Sequence, residues 1–258
     1  MLDVCLLVLL ALGTEHPPDT GPVPETSRQL VLVTTPRWSA TDGTLQRFER
    51  VPGGAWRAVS ADVPVVVGRS GLGWGRGLHD DVPLPSGPVK REGDGRAPAG
   101  VFRLTAAFGY AETEPTGLPY VESTASMRCV DDPASASYNL VRRAAAEPDW
   151  QSTERMRRRD GLYRIGAIVA HNGAGVSRDL VARADSVGAP APIPGGGSCI
   201  FLHVWRGPGT STAGCTAMPD PALSEVLAWL DADKDPVLVQ LPADAVGALR
   251  RPWELPGR

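Results

Sequence analysis

Cysteine is scarce here, with four in 258 residues. No two of them form a CxxC pair, and no two histidines form an HxxxH pair. Closely spaced ligand pairs are what a zinc site needs, so no metal or other cofactor is expected. A set drawn from His171, His203, Cys199 and Cys215 is the one conceivable alternative. An excess of basic charge is also missing. Lys and Arg total 26 against 29 Asp and Glu, a formal net charge of -3. With no long basic run, nucleic acid is excluded as an expected partner. The densest basic stretch, Glu154 to Arg164, is interleaved with acids and reads as a solvated helix face. No apolar run is long enough to cross a bilayer as a helix. Val4 to Leu12 falls short of the roughly 20 residues required. No internal repeat is evident, and no clean linker follows residue 28.

Glycine (29) and proline (25) are plentiful. Together with repeated Val, Ile and Leu runs they predict many short strands joined by structured turns. The N-terminus reads as a secretory signal over residues 1–14 with its apolar h-region at Val4 to Leu12, although its first residues lack Lys or Arg; a buried strand is the alternative. Residues 15–28, rich in Pro and Thr, read as a flexible tether. One β-rich domain is expected over 29–245, then a tail over 246–258. Export would leave Cys129, Cys199 and Cys215. If Cys215 is a free thiol, Cys129 and Cys199 remain as a disulfide pair suited to an oxidising compartment, or as two buried thiols.

Strands are expected at QLVLVTT (29–35), VPVVVG (63–68), VFRL (101–104), YRIGAIVAHN (163–172), CIFLHVW (199–205) and PVLVQL (236–241), the last closing the sheet. LQRFER and AWRAVS should form a hairpin across Val51 to Gly54. Helices are expected at 139–146, 152–159 and 221–232. The glycine-dense GRSGLGWGRGL (68–78) lacks the Lys-Ser/Thr of a phosphate cradle and reads as a turn-rich loop. His79, beside Asp80 and Asp81, reads as an exposed loop histidine. Trp150, Trp229 and Trp253 read as packing residues.

Cys215 lies in STAGCTAM, twelve residues after His203 in CIFLHVW. A cysteine attacks as its thiolate, and a nearby imidazole is the usual means of generating one. Gly214 leaves room for a substrate carbonyl and lets backbone N–H groups face a developing oxyanion. Strand, loop, cysteine and helix then form a candidate acyl-transfer site.

The ordered motifs VKREGDGRAPAGVF, AIVAHN, GGGSCIFLH and TAGCTAM resemble the YkuD-type L,D-transpeptidase catalytic domain, over roughly Leu30 to Leu241. The resemblance implies a mainly β fold of mixed sheet with a few surface helices. It implies a cell-envelope enzyme acting on peptidoglycan stem peptides through a Cys thioester, with attack at the bond between the third and fourth residues of a tetrapeptide. By position, Cys215 matches the nucleophile and His203 the general base, then acid. Val204 would orient the imidazole through its backbone carbonyl, and the N–H groups of Gly214 and Cys215 would form the oxyanion hole. The run before Cys215 departs from the common Ser/Thr-His/Lys-Gly-Cys pattern, and the short loop resembles a subset that hydrolyses or attaches proteins. Carboxypeptidase or endopeptidase activity and a non-catalytic wall-binding module are the alternatives. His171, Asn172, Arg206 and Thr212 are substrate-binding candidates, Arg206 for a carboxylate. The protein is expected to be monomeric, secreted or wall-associated, with no membrane insertion beyond the leader.

Overall fold

A computed structural model describes residues 21–182 and 189–257; the expected leader lies outside them. Strands dominate, as the sequence predicts. They are β1 (Gln29–Thr35), β2 (Asp42–Arg50), β3 (Trp56–Ala58), β4 (Val63–Val66), β5 (Leu72–Trp74), β6 (Ala97–Gly109), β7 (Tyr120–Glu122), β8 (Met127–Val130), β9 (Val141–Arg143), β10 (Thr153–Arg155), β11 (Ile165–Val169), β12 (Phe201–Val204), β13 (Thr216–Met218) and β14 (Val237–Pro242). Two helices follow the site, α1 (Asp220–Trp229) and α2 (Ala243–Leu249).

The main sheet is mixed and runs β1-β14-β6-β11-β12-β13-β4-β2-β3. Because β2 also pairs with β1, the path closes on itself in the manner of a barrel. Closure removes most free edges, which are otherwise liable to unwanted pairing. β14 was expected to close the sheet. It lies inside it, parallel to β1 and antiparallel to β6. Strands β11 and β14 are buried along their whole length and β1 along most of it, which suits their content of Val, Ile and Leu. The β2–β3 hairpin forms as expected, pairing Phe48 with Ala58 and Arg50 with Trp56.

Beside the barrel lies a small sheet, β10-β8-β9. Two of its strands replace predicted helices. At 139–146, Asn139 takes a left-handed φ of 63°, which ends any helix there and releases Val141 to pair with Cys129. At 152–159 the charged run has good helical propensity. Pairing of Glu154 with Cys129 and burial of Met156 outweigh it. The third predicted helix is present as α1. Pro219 precedes it, Pro221 fits in its first turn, and Leu223, Val226 and Leu227 face the core. It packs against β11 and β12, the strands that carry the site.

The disulfide Cys129–Cys199 fastens the small sheet to the segment entering β12, with Cα atoms 5.9 Å apart. Between the two sheets, Phe108, Phe201 and Tyr163 stack edge to face at 5.3–5.9 Å. Each such buried aromatic pair contributes about 0.5–1.5 kcal/mol beyond its area. The packed region extends past the expected domain limits. Val23 and Ser27 are buried near the N-terminal end, and Trp253 and Leu255 join the core at the other. His79 is a further correction. It is fully buried, not exposed, among Trp74, Phe102 and Trp253, and its Nδ1 accepts the Val101 N–H. The flanking aspartates mislead because Asp80 and Asp81 reach the surface side of that turn and the ring does not.

Candidate active site

His203 sits in the middle of β12 and Cys215 immediately precedes β13. These strands are parallel neighbours, with Leu202 opposite Thr216 and His203 opposite Ala217. Side chains alternate along a strand, so His203 shares a face with Ala217 and with the position of Cys215 two residues back. Both residues line a cavity of about 430 Å³.

The loop before Cys215 is held from several sides. Thr212 N–H donates to Val67 O, and Arg69 N–H donates to Thr212 O, both at 2.9 Å. The Thr212 hydroxyl donates to Cys215 O at 2.6 Å and accepts Gly214 N–H at 3.1 Å. Space at Gly214 is tight, since a Cβ there would lie 3.0 Å from Arg96 O. Two sequence expectations change here. Thr212 braces the nucleophile loop, so its hydroxyl is not presented to substrate. The Gly214 N–H is already committed to Thr212, so it is not a waiting oxyanion donor.

Cys215 is almost buried, at 7% exposure. Its thiol donates towards Cys199 O at 3.4 Å, and it accepts Phe201 N–H at 3.4 Å. Among the described residues it is the free cysteine. Burial pushes its pKa up to about 12, with the nearby Glu154 carboxyl adding to the rise. His203 Nδ1 lies 2.8 Å from Val204 O. A carbonyl accepts only, so Nδ1 carries the proton and Nε2 keeps its lone pair. Burial pulls the imidazole down to about 4. At neutral pH the resting site therefore holds a neutral thiol and a neutral imidazole. The sequence reading has a nearby imidazole generate the thiolate; with hydration lost, which sequence spacing does not report, the proton transfer has to accompany attack.

His171 and Asn172 lie outside the cavity and are fully buried. His171 Nδ1 accepts Arg76 N–H at 3.2 Å, so Nε2 is the donor to Gly196 O at 3.1 Å. The Asn172 amide bonds Ile193 O and Gly197 O, and its oxygen accepts from Ile193 N–H and Arg76. Together they fasten the 191–197 loop, and no polar atom is left over for substrate. Cys199 is bridged to Cys129, and His171 is elsewhere, so the conceivable four-ligand metal set does not assemble. Among the described residues, no group of three or more His, Cys, Asp and Glu side chains is placed to hold a metal. Arg206 does reach the cavity, where its exposed guanidinium pairs with Asp160 at 3.0 Å.

Other cavity residues escaped the sequence reading. Glu92 accepts from Tyr138 and Ser198 hydroxyls at 2.6 and 2.7 Å. Lys90, nearly buried, pairs with Asp94 at 2.8 Å. Tyr163 and Glu154 join Cys215 and His203 on the cavity wall. Only VKREGDG hinted at Lys90 and Glu92, because that motif carried part of the family resemblance.

The buried histidines make fold stability depend on acid. His171 is pulled down to about 3 and His203 to about 4, both mainly by burial. An unfolded chain binds protons at these sites below about pH 6.5, whereas the folded chain does not until near pH 4. The unfolded state thus holds more protons in that window, and stability falls as pH drops. Two such groups give a slope approaching about 3 kcal/mol per pH unit. Glu154, raised by burial, opposes this in part. Urea unfolding midpoints measured between pH 4 and 7 should fall steeply below about pH 6; a flat profile would contradict the burial of these rings.

The fold and cavity define a class: a mixed β-sheet enzyme domain that presents a shielded thiol beside a backbone-fixed imidazole. The sequence profile of the YkuD family, the L,D-transpeptidase catalytic domain, matches residues 46–239, and the chain belongs to that family. No curated protein matches the chain. Members of the family are L,D-transpeptidases that act on peptidoglycan stem peptides, and the family is generally associated with the cell envelope. No helix of the described residues is long and apolar enough to cross a membrane.

Proposed function

We propose that the protein is a cell-envelope cysteine acyltransferase that carries out L,D-transpeptidation on peptidoglycan stem peptides. The observation that carries this reading is the juxtaposition of one free thiol, Cys215, with an imidazole whose Nδ1–H is tied to Val204 O. His203 Nε2 takes the thiol proton as the sulfur attacks the carbonyl of the third residue of a tetrapeptide. A C–S bond forms, the C–N bond to the fourth residue breaks, and His203 returns the proton to the leaving amine. An acceptor amine then attacks the thioester and regenerates the Cys215 thiol. Because Gly214 N–H is engaged, the Cys215 N–H is the backbone donor assigned to the oxyanion. The guanidinium of Arg206 at the cavity mouth suits a substrate carboxylate, in exchange for Asp160.

The disulfide supports a site of action outside the reducing cytoplasm. The experiment is incubation with purified disaccharide-tetrapeptide and mass analysis of the products. Cross-linked dimer is the expected product. Disaccharide-tripeptide alone would assign water as the acceptor, and unchanged substrate would refute the reading.

A further inference from the structure

The strands that carry the site give the cavity two ends. β12 and β13 run parallel, with His203 opposite Ala217 and Cys215 just before β13. Ser198 precedes the start of β12, and Arg206 lies past its far end. On the other side of β13, β4 pairs with Ala217 and leads to Gly68, which bridges Thr212 near the Ser198 end. The charges at the two ends differ. Arg206 and Arg158 are neutralised by a shared Asp160, at 3.0 and 2.7 Å. The Glu154 carboxyl is tied to the Tyr163 hydroxyl beside His203. At the Ser198 end, Arg69 and Glu92 line the cavity without an ion-pair partner among the described residues. Both are held by one residue, Gly93. Its N–H donates to Glu92 Oε1 at 3.2 Å, and its carbonyl accepts the Arg69 guanidinium at 3.4 Å. Arg69 lies across Gly95, where a Cβ would meet its Cγ, Nε and Cζ at 2.9–3.0 Å. Its N–H donates to Thr212 O, which fixes it to the nucleophile loop. Glu92 is aimed by the Tyr138 and Ser198 hydroxyls, both donating to Oε2. Oε1 keeps a lone pair for a further donor.

We propose that Arg69 and Glu92 form a specificity subsite for an amino-acid end group, an ammonium and a carboxylate on one carbon, at the tip of the donor's third side chain. The inference rests on the transpeptidase reading, which sets the direction of the substrate. His203 returns a proton to the leaving amine, so the fourth residue lies on the His203 side, towards Arg206. The acyl part, whose carbonyl joins Cys215, runs the other way, towards Ser198, Glu92 and Arg69. The third residue is the one bonded to the sulfur, so its side chain is the one that enters this end. An ammonium alone would pair with Glu92 and leave Arg69 unmatched. A carboxylate alone would do the reverse. The two together satisfy both, and the guanidinium–carboxylate pair is among the stronger hydrogen-bonded contacts. A diamino diacid in the third position carries this end group. The subsite selects the donor, while bond making and breaking stay with Cys215 and His203.

The test is single-turnover acylation of the intact chain by disaccharide-tetrapeptides that differ in the third residue. The four donors carry diaminopimelate, diaminopimelate amidated at its side-chain carboxyl, lysine, or Nε-acetyl-lysine. Losing one charge-assisted hydrogen bond should cost about 10–100-fold in rate at low donor concentration. The wild type should react faster with the diaminopimelate donor than with the amidated or lysine donor by that factor. Arg69→Gln should bring the diaminopimelate donor down to the rate of the lysine donor and leave the lysine donor unchanged. Glu92→Gln still accepts the two hydroxyls. It should slow the diaminopimelate and lysine donors alike and leave the acetyl-lysine donor unchanged. A wild type that takes all four donors at one rate would overturn the proposal. So would an Arg69→Gln variant that keeps the wild-type preference, or either variant slowing every donor equally, as a merely structural role would. Arg69 is exposed, so its variant decides the matter if Glu92→Gln fails to fold. Acylation without discrimination refutes this inference alone, whereas a wild type that no donor acylates refutes the transpeptidase reading and this inference with it.

Discussion

Replacing His203 with alanine should slow acylation of Cys215 by about 10²–10⁴-fold, the range that a positioned general base contributes. The effect should be large because the resting thiol is neutral. With its pKa pushed up to about 12 by burial, almost no thiolate exists near neutral pH, and the proton has to leave during attack. On the proposed reading His203 Nε2 is the base that takes it, with the tautomer fixed by Val204 O. Wild-type acylation should persist through neutral pH and decline as pH falls through about 4, where the imidazole becomes protonated. Above that limit the rate should track the neutral base rather than a preformed ion pair. The check is single-turnover kinetics with a stem-peptide donor from about pH 4 to 9. Equal rates in the variant and the wild type would remove His203 from the mechanism.

Removing the disulfide should have the largest effect on stability. The bridge joins residues 70 apart in sequence, and closing a loop of that length restricts the unfolded chain by about 4 kcal/mol. The Cys129→Ala/Cys199→Ala double variant should lose about that much in urea unfolding. It should also lose acylation rate. Cys199 adopts a left-handed φ of 55°, which costs a non-glycine residue energy, and its carbonyl contacts the Cys215 thiol. Freed from Cys129, that backbone has less reason to hold its position beneath the sulfur. A loss below about 1 kcal/mol would show that Asn139 already fixes the segment without the bridge, through the Cys199 N–H that it accepts at 3.0 Å.

Most strands were legible because their sequence signals are local. The runs in β1, β11, β12 and β14 are mostly apolar, and turn residues bound the β2–β3 hairpin. The pairing of Cys129 with Cys199 was legible from parity once Cys215 was set aside. The imidazole-to-Val204 contact followed from the family resemblance, and it forms between adjacent residues. What escaped depends on contacts made at long range. The strands β9 and β10 carry helix-compatible residues, and only pairing with β8 makes them extended. Glu154 therefore looked like part of a solvated charged face, yet pairing with β8 places it on the cavity wall. His171 looked available for substrate because a histidine at a strand end often is. Its two nitrogens are consumed by Arg76 and Gly196, neither of which is near it in sequence. The neutral state of the thiol and imidazole is likewise a property of burial, which spacing alone does not encode.

The central claim is that Cys215 forms a thioester with a stem peptide. The direct measurement is intact-protein mass spectrometry after brief incubation with disaccharide-tetrapeptide and acid quench. The wild type should gain the mass of a disaccharide-tripeptide acyl group, located on Cys215 by peptide mapping and discharged by an added amine. Cys215→Ala, folded and assayed alongside, should gain nothing. An undiminished adduct in Cys215→Ala, or turnover by the wild type with no adduct on Cys215 under any quench time, would contradict the account.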